Sequence, residues 1–281
     1  MTGMRVLTYN ILSRDHADGP GREKVLRAEL SELRPDVVAL QEVTRTEELD
    51  QARELLGPDF TIIDHPSEPS DPVGACLATR WPVGDVHSLD LQVAPGSVGL
   101  PWAGAIAVEV RAPEPLGTLV VVHHKPNWQL TGEYVRERQA VTAARWIEDL
   151  VGGRDDLPVV LLGDFDADTQ AASIRFWTGR QSLDELSVRY EDAWESLHGD
   201  EPGHTFSPRN PLVLEGEMKR ERGRRIDYIM VRSGIHGPLL DVRACRIVFD
   251  EPVDGVWVSD HFGLFAELVR PARQVGAWDR P

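Results

Sequence analysis

Short apolar runs that end abruptly in polar residues recur along this chain. Runs near 5–11, 36–40, 60–63, 75–79, 86–93, 105–110 and 119–122 are bounded by Gly, Pro, Asp or Asn and predict strands. The short connections from 60 to 122 predict an antiparallel meander. Further runs near 157–162, 226–231, 242–249 and 263–268 repeat the pattern in the C-terminal half. Helical spacing is rarer. Leu26, Leu30 and Leu33 predict a helix over 22–33, stopped by Pro35. A short helix over 46–56 is opened by Thr44 or Thr46 as N-cap and closed at Gly57-Pro58. The longest, 132–151, carries Ala140, Ala143, Ala144, Ile147, Leu150 and Val151 on one stripe. Two sheets packed face to face, with helices outside each, would bury these runs. The periodicity permits that arrangement without requiring it.

The chemistry lies where the runs stop. VVLLGDFDAD, residues 159–168, delivers Asp164, Asp166 and Asp168 after Gly163 lets the backbone turn. Open α/β sheets place ligands at such strand ends, and carboxylates there orient a water or hold a hard cation. MRVLTYNIL ends at Asn10, and PDVVALQEV carries Gln41 and Glu42. GTLVVVHHKPNW runs into His123, His124, Lys125 and Asn127. RRIDYIMV carries Asp227, and VSDHFGLFAEL carries Asp260 and His261. A calcium-loop reading of 164–175 fails, because Thr169 stands where Gly is needed and Arg175 where Glu is needed. No strand carries the DxDx(T/V) run, with a suitable Lys partner, of an aspartyl-phosphate phosphatase.

Taken in order, these motifs resemble the endonuclease/exonuclease/phosphatase superfamily, and the resemblance runs from Met4 to about Leu268. LTYNIL resembles its Asn-bearing opening strand and LQEV the strand with the metal-ligating Glu. VVHHKP is similar to its Thr-His-Leu segment, with His124 at the histidine and His123 at the threonine. LLGDFDAD resembles Gly-Asp-Phe-Asn, RRIDYIMV the Asp-bearing strand, and VSDHFGLFAEL the terminal Ser-Asp-His. The resemblance implies an α/β four-layer sandwich of two mainly antiparallel sheets flanked by helices, as in deoxyribonuclease I. It implies a metal-dependent phosphoesterase acting by in-line water attack. Glu42, Asp260 and Asn10 are then the metal-site candidates, with Mg²⁺ or Mn²⁺ as the ion. Cys or clustered His ligands of a zinc site are missing from this set. Asp164 fits the water-orienting base, and His124 and His261 fit donors to the phosphoryl oxygens. Asp227 fits the carboxylate that holds His261 in tautomer and orientation. Asn10, Lys125, Asn127 and Arg225 are candidates for binding substrate.

One position departs from the pattern. Asp166 stands where the family has Asn, and an ionised carboxylate cannot donate as an amide does. Asp166 must be protonated, be paired with a cation, or serve as an additional metal ligand.

Composition narrows the substrate. Forty-six acidic against thirty basic residues give a formal charge of −16. A protein that grips many backbone phosphates carries a basic face, so a small or locally bound phosphate ester is favoured over DNA or RNA. A nuclease is the alternative within the family. A binding protein that has lost catalysis is the alternative from another class, and the full set of carboxylates and histidines speaks against it. The visible basic cluster is Lys219, Arg220, Arg222, Arg224 and Arg225, read either as a solvated loop or as a phosphate-recognition loop. Cys76 and Cys245 predict two buried free thiols rather than a disulfide framework. Without a leader or a long apolar run, the chain is expected to be a cytoplasmic monomer with no integral membrane association. One catalytic domain is expected over 1–270, with a tail over 271–281.

Overall fold

The computed structural model describes residues 3–66, 72–95, 97 and 103–272. β1 (Met4–Asn10), α1 (Gly19–Leu33), β2 (Val37–Thr44), α2 (Gln51–Leu56), β3 (Thr61–Asp64) and β4 (Val73–Thr79) come first. β5 (Val83–Asp90), β6 (Gly104–Arg111), β7 (Thr118–Lys125), α3 (Glu133–Val151), β8 (Val159–Asp164) and α4 (Ala172–Trp177) follow. β9 (Tyr190–Asp192), α5 (Ala193–His198), α6 (Pro211–Glu215), β10 (Asp227–Gly234), β11 (Gly237–Pro238), β12 (Asp241–Val248) and β13 (Gly263–Val269) complete the order.

Among the described residues the strands form two sheets. One runs β12-β13-β1-β2-β4-β3; the other runs β11-β10-β8-β7-β6-β5, with β9 added on β10. Pairing is antiparallel except for β1 with β2 and β7 with β8. The sheets are therefore mainly antiparallel, as the resemblance implies. The expected meander is corrected: β3 and β4 belong to the first sheet, β5 to β7 to the second. The crossing occurs between β4 and β5, at a connection too short to signal a change of sheet in the sequence.

Alternation along the strands builds three apolar layers. Met4, Val6, Val37, Ala39, Val108, Val121, Val160, Leu162, Ile229 and Leu264 fill the space between the sheets. Leu7, Tyr9, Val38 and Leu40 point the other way, onto Leu26 and Leu30 of α1. Val122, Val159 and Leu161 meet Ala140, Ala143, Ala144 and Ile147 of α3 and Phe176 of α4. The result is the helix–sheet–sheet–helix sandwich. Each fully buried Val or Leu contributes roughly 1.5–3 kcal/mol, so this stacking dominates the stability.

Two local expectations change. α2 begins at Gln51, because Asp50 accepts the N–H of Arg53 at 2.9 Å, while Thr46 closes a turn on Leu49 at 3.1 Å. α4, α5, α6 and β9 are too short to leave a periodic trace. Cys76 and Cys245 are free and buried. Residues 273–281 of the expected tail lie outside the described residues. No helix of the described residues is long and apolar enough to cross a membrane.

Candidate active site

The cleft lies where the inter-sheet core runs out at one end of the sandwich. Along β1, Met4 and Val6 face the core, so Thr8 and Asn10 share that face. The same alternation carries Val160 and Leu162 on to Asp164, and Ile229 and Val231 back to Asp227. On β7 it carries Leu119 and Val121 to His123 and Lys125. Asp164 and Asp227 are direct partners in the antiparallel pairing of β8 and β10. Beneath them lies a polar floor, where the Gln41 Nε2 amide donates to Thr8 at 3.2 Å and lies 2.7 Å from His123 Nε2.

Asn10 ties the two sheets together. Its amide donates to Glu42 Oε1 at 2.9 Å and to Asp164 Oδ2 at 3.2 Å, while its Oδ1 accepts the N–H of Leu12 at 3.1 Å. Ser259 donates to the Asn10 carbonyl at 2.7 Å and accepts the N–H of His261 at 3.2 Å. The loop after β1 is clamped by Arg22, whose guanidinium donates to the carbonyls of Ile11, Leu12, Ser13, His16, Ala17 and Val258.

Lys125 is 3% exposed and lies between two carboxylates, donating to Asp164 Oδ2 at 2.9 Å and to Asp166. Burial opposes the charge on Lys125, but Asp164 and then Asp166 outweigh it and raise its pKa. Burial also works against an ionised Asp164, yet Lys125 holds that carboxyl below its ordinary value. Asp166 is compensated only in part: burial, then the Asp164 charge, raise it to about 6 against the opposing pull of Lys125. The cation-paired form of Asp166 is thus the one present, with Lys125 as partner.

His261 Nδ1 is 3.0 Å from Asp227 Oδ2, and Asp227 is fully buried. Burial alone would lower the imidazole, but the Asp227 charge and hydrogen bond raise it to about 10. A ring nitrogen of His261 and oxygens of Asp164 and Asp227 lie within 4.8 Å of one another. An imidazolium has no free lone pair, so this trio suits proton and charge handling better than metal ligation.

Glu42 reaches the cleft through a break in alternation. Val38, Leu40 and Val43 all face the outer helices, and the pairing of β2 with β4 shifts register between Gln41 and Val43. Glu42 is the extra residue of that bulge, with φ +57, a left-handed conformation that costs a non-glycine residue of order 1–3 kcal/mol. The bulge swings its carboxylate toward Asp260. Burial, then the Asp260 charge, raise the Glu42 pKa. Among the described residues neither Glu42 nor Asp260 forms an ion pair. Two facing carboxylates with an amide alongside fit a hard divalent cation, which takes oxygen ligands and keeps part of its water shell.

The cleft has a volume of about 720 Å³, and Trp128, Phe206, Leu212 and Met218 add apolar wall to its polar end. Of the sequence candidates, Asn10, Glu42, Lys125, Asp164, Asp166, Asp260 and His261 line it, with Asp227 directly behind His261. Three do not reach it. His124 lies on the opposite face of β7, its ring 5.0 Å from that of Phe165 and 5.8 Å from that of Trp177. Asn127 Oδ1 accepts from Gln139 at 2.7 Å. Arg225 donates to Asp192 at 2.7 Å, both side chains being buried. Its neighbour Arg224 lines the cleft instead. Ser259 is visible in the sequence only as part of the Ser-Asp-His motif, and the α6 wall carries no chemical signal.

The profile of the Endonuclease/Exonuclease/phosphatase family matches residues 7–261. No curated protein matches the chain. Solved structures share its fold. D. rerio TDP2 complexed with single strand DNA product has 17% identity and a TM-score of 0.75, over 95% of this chain and 99% of that one. The human Nocturnin catalytic domain with bound sulfate anion has 18% identity and a TM-score of 0.72, over 96% and 94%. An endonuclease/exonuclease/phosphatase from Bacteroides vulgatus has 21% identity and a TM-score of 0.69, over 96% and 100%.

Proposed function

The chain belongs to the endonuclease/exonuclease/phosphatase family, and from that premise we propose that it hydrolyses a small phosphate ester with water, using Mg²⁺ or Mn²⁺. The observation that carries this reading is the convergence of Glu42 and Asp260 beside Asp164, Lys125 and His261 in one cleft. A divalent ion held by Glu42 and Asp260, when bound, neutralises charge on the phosphoryl oxygens and steadies the leaving oxygen.

The chain's own groups supply the rest. Asp164, kept ionised by Lys125, accepts a proton from the attacking water and aims its lone pair at phosphorus. Asn10 fixes Asp164 relative to Glu42, so the attacking and metal-binding sides keep their spacing. His261, charged through Asp227, donates to a non-bridging oxygen as negative charge develops. Lys125 donates beside it, standing in for the amide that Asp166 cannot supply, while Asp166 aims the ammonium. No covalent enzyme intermediate is required.

The test is hydrolysis of bis(p-nitrophenyl) phosphate and of p-nitrophenyl phosphate by metal-stripped protein. Activity is expected on one or both with Mg²⁺ or Mn²⁺ and none in excess chelator. The stronger substrate identifies the chain as a diesterase or a monoesterase. Undiminished turnover after verified metal removal would sink the proposal.

A further inference from the structure

Beside the catalytic cleft lies a second groove of about 550 Å³, lined by Leu130 and residues 217–224. The two share Glu217, Met218 and Arg224 as a common wall. In a chain of charge −16, this is a local concentration of cations. Lys219, Arg220 and Arg222 are exposed and form no ion pair among the described residues. The groove stays net positive even with Glu217 and Glu221 counted.

The loop is built to hold those cations outward. The Glu221 side chain, 6% exposed, accepts the N–H groups of Arg222 and Gly223, both at 2.9 Å, and Arg224 Nε at 2.9 Å. Its carboxyl is held below its ordinary value: Arg224 and these backbone donors outweigh the opposing effect of burial. Gly223 has φ +102, and a Cβ there would come within 2.5 Å of His204 Nδ1. The turn therefore needs glycine. One acidic residue is consumed inside the loop, and three basic ones stand exposed along the groove without ion-pair partners among the described residues.

We propose that this groove binds a second, non-scissile phosphate of the same substrate while the reacting ester sits in the adjoining cleft. The inference deepens the phosphoesterase reading and rests on it. Concavity, the shared wall and the unpaired guanidinium and ammonium groups on one short loop supply what a phosphate dianion needs: positive charge and several N–H donors. These basic residues are confined to this one groove, which reconciles phosphate recognition with an acidic protein that lacks a long basic face.

The test compares deoxythymidine 5′-(p-nitrophenyl phosphate) with its 3′-phosphorylated form, in wild type and in a Lys219→Ala/Arg220→Ala/Arg222→Ala variant. The 3′-phosphate is expected to raise kcat/KM about tenfold in wild type, mostly through KM, and less than about twofold in the variant. All three side chains are exposed, and an unchanged Tm verifies the fold. A preference that survives the triple substitution overturns the proposal, as does equal use of both esters by wild type.

If wild type hydrolyses neither ester, the phosphoesterase reading is judged separately on bis(p-nitrophenyl) phosphate and p-nitrophenyl phosphate, and calorimetric binding judges the groove alone. Deoxythymidine 3′,5′-bisphosphate should then bind about tenfold more tightly than deoxythymidine 5′-monophosphate, with the gain lost in the variant. Equal affinities overturn the inference. Inositol 1,4-bisphosphate places the same two charges on another frame and separates a nucleotide-type carrier from a lipid-headgroup type.

Discussion

Replacing Asp166 by Asn is expected to raise stability, and by more at higher pH. Asp166 sits at φ +51, a conformation Asn tolerates as well as Asp, so the change is confined to side-chain charge. In the wild type, burial and then Asp164 raise its carboxyl to about 6, against an ordinary 3.8. The folded chain therefore holds a proton that the unfolded chain has released. The penalty is absent below about pH 4, grows through the interval, and is complete above about pH 6. At about 1.36 kcal/mol per pH unit the full penalty is about 3 kcal/mol at pH 8 and about half that at pH 5. The attraction of Lys125 for the ionised carboxylate is already contained in that value of about 6, and Lys125 keeps Asp164 at 2.9 Å. With an unfolding entropy of about 2.1 cal/mol/K per residue, the gain is a Tm rise of about 5 °C at pH 8 and roughly half as much at pH 5. Thermal unfolding followed by far-UV circular dichroism, in chelator to exclude metal linkage, measures both. A variant whose Tm falls further below wild type as pH rises would show Asp166 to be net stabilising and refute the reasoning.

Asp164→Ala is expected to lower kcat by about a hundredfold or more, and His261→Gln similarly, read as initial rates on whichever aryl phosphate the wild type hydrolyses. Because His261 is held charged up to about 10, kcat should stay level from pH 8 to 9.5 and fall above about 10; a limb near 6.5 would mean that Asp227 does not hold its proton. His124→Ala should destabilise by about 3 kcal/mol, through lost packing on Phe165 and Trp177, while leaving kcat per folded molecule within about threefold of wild type. Lys125→Ala should do both kinds of harm, destabilising by about 3 kcal/mol and cutting kcat by about a hundredfold, because it leaves Asp164 and Asp166 without their cation. Chemical denaturation beside kinetics separates these outcomes, and equal kinetic losses at 124 and 125 would count against the assignment of faces.

The choice between His124 and Lys125 shows where the sequence stops being legible. Strand β7 is apolar on both faces, Leu119 and Val121 toward the other sheet, Val120 and Val122 toward α3. The alternation was plain, but nothing in it told which parity faced the cleft. Motif likeness points to 124, whose parity faces Phe165 and Trp177 rather than the cleft, whereas Asn10, Asp164 and Asp227 each close or open a row readable as continuous apolar alternation. The motif singles out Glu42 although its strand's alternation aims it outward; the bulge that turns it into the cleft has no sequence signature beyond the glutamate. Arg225 and Arg224 are adjacent and equivalent in composition, and only the buried Asp192 decides which turns inward. The sheet membership of β4 and β5 was illegible because a short connection serves equally for a hairpin and for a step between layers.

The order of strands in the first sheet sets a timetable. β1 is hydrogen-bonded on one side to β2 and on the other to β13, a strand made some 250 residues later. During synthesis the edge of β1 must wait, open, for almost the whole chain to emerge. Asp260 and His261 arrive with that closing strand. A growing chain can thus assemble much of both sheets before Asp260 and His261 are present, and the same final pairing that covers an aggregation-prone edge completes the cleft. The cleft has its full lining only once the sandwich is sealed.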